Sequence, residues 1–225
     1  MSLFCLVHGH GQGAWCWERL MPELEARGHQ ALAMDLPIDD PSASLSRFAE
    51  VVVQALQGAD DDVVVVGHSM SGLIIPLVAN QRPVRRLVFL AALIPQVGAS
   101  TRDQFKVEPD MFVPDCLNKD PSRDAAAAME LLFHDCEPDV AGWATSKLRE
   151  QQSMAHLTEV TPLQAWPDVE SVYILCTEDR TVAPSWSRRA ARQRLGVDAI
   201  ALPGGHCPYL SRPVHLADVL TSALN

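Results

Sequence analysis

The chain has 225 residues, a length that suits one domain carrying an insertion. Its 48% hydrophobic and 20% charged residues supply a sizeable core and exclude intrinsic disorder. Eighteen Lys and Arg against 28 Asp and Glu leave a net charge of −10, without the basic footprint that a nucleic-acid-binding protein needs.

In chain order, β-branched runs alternate with amphipathic stretches. Leu3 to Val7 reads as a strand, Pro22 to Arg27 as a helix stopped by Gly28, and Gln30 to Met34 as a second strand. Ser46 to Leu56 reads as a helix. Val63 to Val66 follows, apolar at every position, as a strand covered on both faces should be. Met70 to Asn80 is expected to be helical, with Pro76 kinking or ending it. Arg86 to Ala91 is a fourth strand and Ser171 to Cys176 a fifth. The helix Pro184 to Leu195, stopped by Gly196, the strand Val197 to Leu202 and the helix Val214 to Leu224 complete the pattern. Such alternation predicts an α/β fold: a six-stranded, mostly parallel sheet with helices on both faces.

From Pro95 to Ala165 no strand is expected, and Asp124 to Phe133 and Asp139 to Gln151 read as helices. This segment holds twelve Asp and Glu against six Lys and Arg, so −6 of the total −10 lies there. The expected division is a core of residues 1–94 and 166–225 with a helical cap, 95–165, inserted in it. Six excess negative charges in one segment imply substrates that are neutral or cationic near the pocket mouth.

The apolar run Leu87 to Ile94 is too short to span a bilayer, and no cationic leader precedes the first strand. The six cysteines form no CxxC pair and read as buried free thiols. A cytoplasmic protein with no membrane and no nucleic-acid partner is therefore expected. Its oligomeric state is open between monomer and homodimer.

The chemistry begins after the third strand, in Gly67-His68-Ser69-Met70-Ser71-Gly72. A serine at a sharp strand-to-helix turn, between small residues, lifts its hydroxyl above the sheet. The pattern departs from G-x-S-x-G, because Ser71 stands where the second glycine belongs. A serine nucleophile needs a base and an orienting acid. Glu178 and Asp179 end the fifth strand, and Gly204-Gly205-His206 follows the sixth; Asp179 is preferred over Glu178. His29, His134, His156 and His215 read as surface or packing residues. Two backbone N–H groups are needed for a tetrahedral oxyanion: one from Met70, the other from His10 in the glycine-rich loop His8 to Gly13. No H-E-x-x-H or Cys/His cluster with ligand spacing occurs, so neither metal nor cofactor is expected.

These segments together resemble a known group. His8-Gly9-His10-Gly11-Gln12-Gly13-Ala14-Trp15-Cys16-Trp17, the elbow, and Val172 to Asp179 are similar to the plant methylesterase and hydroxynitrile lyase family of α/β-hydrolases. Gly205 to Pro213 is similar to its bacterial esterase relatives. The resemblance implies an α/β-hydrolase fold, a Ser69, Asp179, His206 triad, and a cap whose pocket-facing residues choose the substrate. Phe112, Phe133, Trp143 and Met154 are the candidates for that pocket, against a simple packing role. The lyases of this group carry threonine after the first loop histidine and lysine after the catalytic one, where this chain has Gly9 and Cys207. Hydrolysis of a small-molecule ester or lactone is therefore expected. The alternatives are lyase, perhydrolase or cofactor-free oxygenase chemistry on the same residues, or a non-catalytic receptor.

Overall fold

The valines of Val63–Val66 lie at the centre of the sheet, fully buried, with a helical layer against each face. The computed structural model describes residues 1–224. Six strands, β1 (Leu3–Val7), β2 (Gln30–Ala33), β3 (Val63–His68), β4 (Arg86–Leu90), β5 (Ser171–Cys176) and β6 (Ile200–Leu202), run in the order β2-β1-β3-β4-β5-β6. Every pairing is parallel. The helices are α1 (Met21–Glu25), α2 (Leu45–Ala55), α3 (Ile75–Ala79), α4 (Thr101–Val107), α5 (Ala125–Leu131), α6 (Pro138–Ser146), α7 (Ala155–Thr158), α8 (Pro184–Ala190), α9 (Pro208–Ser211) and α10 (Pro213–Ser222). None is long and apolar enough to cross a membrane among the described residues.

Alternation along each strand builds two cores. Cys5, Val7, Val63, Val65, Leu87, Phe89 and Tyr173 meet α2, α3 and α8 through Phe48, Val52, Ile75, Val78 and Trp186. Phe4, Leu6, Val64, Val66, Val88 and Leu90 meet α1 and α10 through Leu24, Leu216 and Leu220. The second core also takes in Ala128, Leu131, Ala141 and Ala144 of α5 and α6, so the segment between β4 and β5 packs directly on the rest.

Local sequence explains most boundaries. Helix α2 starts where the Ser44 side chain accepts from the Arg47 N–H, and it buries Leu45, Phe48, Ala49 and Val52 on one face. Helix α8 continues through a π-type turn, Ala191–Leu195, and stops at Gly196, whose φ of 70° is left-handed. Three expectations are corrected. Pro76 does not end a helix but occupies the first turn of α3, where its missing N–H costs nothing; Ser69–Leu73 before it is a 3₁₀ turn. Only Ile200–Leu202 of the expected last strand pairs with β5, at the exposed edge of the sheet. Between β4 and β5 there are four α-helices and two 3₁₀ turns rather than two helices, and α4 carries a capping box between Ser100 and Asp103.

Because the sheet is parallel, β1, β3, β5 and β6 all deliver their following loops to one edge. Residues around the β3 exit pass extremely close to the β4 exit. A Cβ on Gly72 would fall well inside contact distance of the Leu93 carbonyl oxygen and 2.9 Å from Ala92 Cβ. Gly142, in α6, has open space around it. Gly72→Ala should therefore cost about 1–3 kcal/mol through overpacking, lowering Tm by about 3–10 °C in a chain of this size. Gly142→Ala should be neutral or stabilising by up to about 1 kcal/mol. Thermal unfolding followed by circular dichroism checks both, and equal Tm shifts would contradict this account of the turn.

Candidate active site

Ser69 leaves β3 with φ of 54°, one of two non-glycine residues with positive φ among the described residues. The strained turn is held from both sides. The Leu93 N–H donates to the Ser69 carbonyl at 3.0 Å. The Ser71 hydroxyl donates to the His8 carbonyl, tying the turn to the loop that follows β1. So the residue that breaks the glycine pattern makes a tether, and Gly72 takes over the close approach. Gly9 of the β1 loop lies directly over the turn: a Cβ there would sit 2.7 Å from His68 Nδ1 and 3.0 Å from Ser69 Cβ.

The loops after β5 and β6 bring Asp179 and His206 together. Asp179 Oδ2 accepts from His206 Nδ1–H at 2.8 Å, and both side chains are 2% exposed. The other oxygen, Oδ1, accepts the N–H groups of Thr181 at 2.7 Å and Val182 at 3.1 Å. A carboxylate held by three donors in this way fixes the imidazole tautomer, leaving Nε2 free as a base. Glu178 is exposed and has no such contact; its N–H donates to the Gly204 carbonyl. Ser69 and His206 line the same cavity, of about 370 Å³. Among the described residues no hydrogen bond joins Ser69 Oγ to His206, a contact often loose before substrate arrives.

Beneath His206 lies a second imidazole. His68 Nε2–H donates to the His206 carbonyl at 2.9 Å, and the two rings are 4.6 Å apart. The Tyr209 hydroxyl lies 2.8 Å from Gln12 Oε1 and 3.1 Å from Cys207 Sγ, and Gln12 Nε2–H donates to that sulfur at 3.4 Å. Cys207 thus points away from the cavity into the second core. A lysine there would bury its ammonium, and a threonine at position 9 would collide with His68 and Ser69. Asp135, from the segment between β4 and β5, accepts the Gly205 N–H at 2.8 Å, and His134 Nε2–H donates to the Glu178 carbonyl at 3.1 Å.

The cavity wall differs from the expected one. Phe112 and Met154 line it, together with Leu93, Phe105, Leu132 and Leu157. Phe133 does not: the chain turns after Leu132, and the ring is buried in the second core. Trp143 does not either, because α6 packs it edge-on against Trp15, with centroids 5.4 Å apart. His156, expected at the surface or in packing, is buried and lines the cavity beside His10 and Asp120. The acidic surplus does not face inward. Arg102, Lys119 and Asp120 are the only Arg, Lys, Asp or Glu on the wall among the described residues.

This arrangement of a raised serine, a carboxylate-oriented imidazole and a glycine-rich loop can generate and stabilise an alkoxide attack on a carbonyl. Residues 6–219 match the alpha/beta hydrolase family. The chain belongs to that family. Within it, the chain is 28% identical to the probable esterase PIR7A of Oryza sativa, over 96% of this chain and 94% of the relative. It is 27% identical to salicylic acid-binding protein 2 of Nicotiana tabacum, over 95% and 93%. Polyneuridine aldehyde esterase superposes with a TM-score of 0.82 at 21% identity, covering 100% of both chains. A pyrethroid hydrolase from Sphingobium faniae gives 0.79 at 21%, over 99% of this chain and 97% of the other. These two superpositions establish the alpha/beta hydrolase fold.

Three buried histidines bear on stability. Burial pushes His8 down to about 4 and His156 to about 3, and it holds His68 well below its ordinary 6.5. In the unfolded chain these rings take up protons near 6.5, so the unfolded state binds more protons just below that pH. Their neutrality favours the fold fully above 6.5, and this contribution fades as pH falls towards 4. Tm should be flat above about pH 7 and decline steadily below about 6.5. An unchanged Tm at pH 4.5 would show that these rings are solvated.

Proposed function

We propose that this enzyme is a serine carboxylesterase that cleaves a small-molecule ester or lactone through an acyl-enzyme. The observation that carries the reading is the buried His206–Asp179 pair, held at 2.8 Å, on the wall of the cavity that Ser69 also lines. In this mechanism His206 Nε2 takes the Ser69 proton as Oγ attacks the carbonyl carbon. The oxyanion receives the backbone N–H groups of His10 and Met70. The imidazolium, stabilised by Asp179, then gives its proton to the leaving alkoxide, and the C–O bond breaks. Water, deprotonated by the same imidazole, attacks the acyl-enzyme and restores Ser69 Oγ–H. The 95–165 segment acts as the cap, and its apolar Phe105, Phe112, Met154 and Leu157 receive the non-polar part of the substrate. Names among the relatives, such as probable esterase and methylesterase, support the reaction class. Six unpaired cysteines suit a reducing cytoplasm.

Ser69→Ala should abolish hydrolysis of small phenyl esters, and a fluorophosphonate should label Ser69 alone. Labelling at Ser71, or turnover near wild type, would remove Ser69 from the mechanism. Asp179→Asn should fall on the order of 10⁴ in turnover, as an amide there enforces the wrong imidazole tautomer, while Glu178→Gln should keep most activity. The reverse ranking would pass the role to Glu178.

Lyase chemistry on the same residues would remove a cyanohydrin proton with His206 and stabilise departing cyanide with a cation. Cys207 puts no cation directly after His206, the cations on the cavity wall, Arg102 and Lys119, come from the other segment, and Gly9 offers no hydroxyl. Mandelonitrile cleavage should be undetectable or at least about a thousandfold below ester turnover, since each missing electrostatic partner costs about 10²–10³. Cyanide release at a rate matching ester hydrolysis would overturn the esterase reading.

A further inference from the structure

We propose that the segment between β4 and β5 holds the oxyanion loop in its working shape, with His10, Asp120, His156 and Gln151 as positioning residues; this rests on the esterase reading above. In the loop of residues 8–13, His8 and Gln12 are tied to the core through Leu36, Ser71, Tyr209 and Cys207, but among the described residues 10 and 11 have no such tie there. The loop's one internal backbone hydrogen bond runs from the Gln12 N–H to the Gly9 carbonyl at 3.4 Å. Gly11, at φ of 69°, adds freedom that an amide aimed at an oxyanion has to lose before the reaction begins.

Four contacts remove that freedom, all from partners more than a hundred residues away. The Gly11 N–H donates to Gln151 Oε1 at 3.1 Å, and the Gly11 carbonyl accepts the Arg149 N–H at 2.8 Å. His10 Nε2 lies 3.2 Å from Asp120 Oδ1, and His10 Nδ1 lies 3.3 Å from His156 Nε2. A carboxylate only accepts, so His10 Nε2 carries a proton toward Asp120, and one proton is shared between His10 Nδ1 and His156 Nε2. The result is a connected chain, His156 to His10 to Asp120. It leaves His156 Nδ1 buried without a partner. Burial pushes His156 down to about 3 and keeps its ring neutral.

The far ends of the chain are anchored in turn. Asp120 Oδ1 accepts from the Ser122 N–H at 2.9 Å and its hydroxyl at 2.6 Å. Gln151 Nε2–H donates to the Ser153 carbonyl at 2.8 Å, and the Gln151 N–H donates to Ser122 Oγ at 3.3 Å. Apolar packing could hold the segment down without orphaning a buried nitrogen. Directional bonds to residues 10 and 11 instead set the angle of the loop, and that angle aims the His10 amide.

The test compares His10→Ala, Asp120→Ala, Asp120→Asn and Gln151→Ala on p-nitrophenyl butyrate, with phenylboronic acid as a tetrahedral adduct on Ser69 and butyrate as a product-like ligand. The alanine variants should lose about ten- to a hundredfold in kcat, a part of the 10²–10³ that loss of a whole oxyanion donor costs. KM and butyrate affinity should stay within about threefold, while boronate affinity falls in step with kcat. Asp120→Asn keeps an acceptor for His10 and should recover most of the turnover. Wild-type kcat and boronate affinity in the alanine variants would overturn the proposal. A rise in KM with kcat unchanged would also overturn it, placing the cluster in substrate binding. If Asp120→Ala fails to fold, His10→Ala decides, because it deletes an imidazole and leaves the loop backbone whole. Ser69→Ala separates the two claims: full activity there refutes the esterase reading, whereas an inactive Ser69→Ala beside wild-type alanine variants refutes only this inference.

Discussion

Everything at the candidate site depends on how closely the turn after β3 approaches the exit of β4. Ser69 adopts a left-handed backbone that an L-residue avoids, at a cost of order 1–3 kcal/mol. The surroundings hold it there: Leu93 donates to its carbonyl, Ser71 reaches the His8 carbonyl, and Gly72 leaves no side chain between the two strand exits. The strain is affordable because β3 is central, with both faces covered and a partner strand on either side. The same pressure makes residue 9 a glycine, since the β1 loop crosses directly over Ser69 and His68.

The second constraint is electrostatic. Asp179 is buried, and an unpaired carboxylate there would be costly; two backbone N–H groups and the His206 ring satisfy it completely. The two N–H groups come from the chain immediately after Asp179, so the acid's orientation is built by its own turn. His206 is then fixed from above by Asp179 and from below by the His68 bond to its carbonyl, with Asp135 holding the preceding Gly205. A neutral His68 suits this arrangement, because a second cation 4.6 Å from the His206 ring would oppose the imidazolium that the proposed mechanism needs.

The segment between β4 and β5 does more than cover the cavity. Through Asp120, Gln151 and His156 it meets the β1 loop, through His134 the β5 loop, and through Asp135 the β6 loop. Residues 111–113 also pair with 181–183 in a short antiparallel contact beside Asp179. A segment that ties three loops together can vary its inward-facing apolar residues, and so its ligand, without rebuilding the sheet.

Much of this was legible in the residues themselves. A strand reads from four valines because only a strand covered on both faces tolerates them, and parallel topology then demands that the residues after β3, β5 and β6 meet at one edge. Ser69, Asp179 and His206 could be picked by their place after strands. Phe112 and Met154 could be picked only as apolar residues in the right segment, and by that criterion Phe133 and Trp143 qualified equally. Which of the four faces the cavity depends on how α5 and α6 dock on the second core, and no short-range pattern encodes that rotation. His156 and Asp120 were illegible for the same reason. Their partner His10 is more than a hundred residues away, and their spacing matches no local motif. The sequence by itself determined that six strands alternate with helices in a parallel sheet and which residues follow β3, β5 and β6, because period and turn residues are local. Tertiary structure alone decided the cavity wall and the bonds that hold the β1 loop, because both arise where distant helices come to rest.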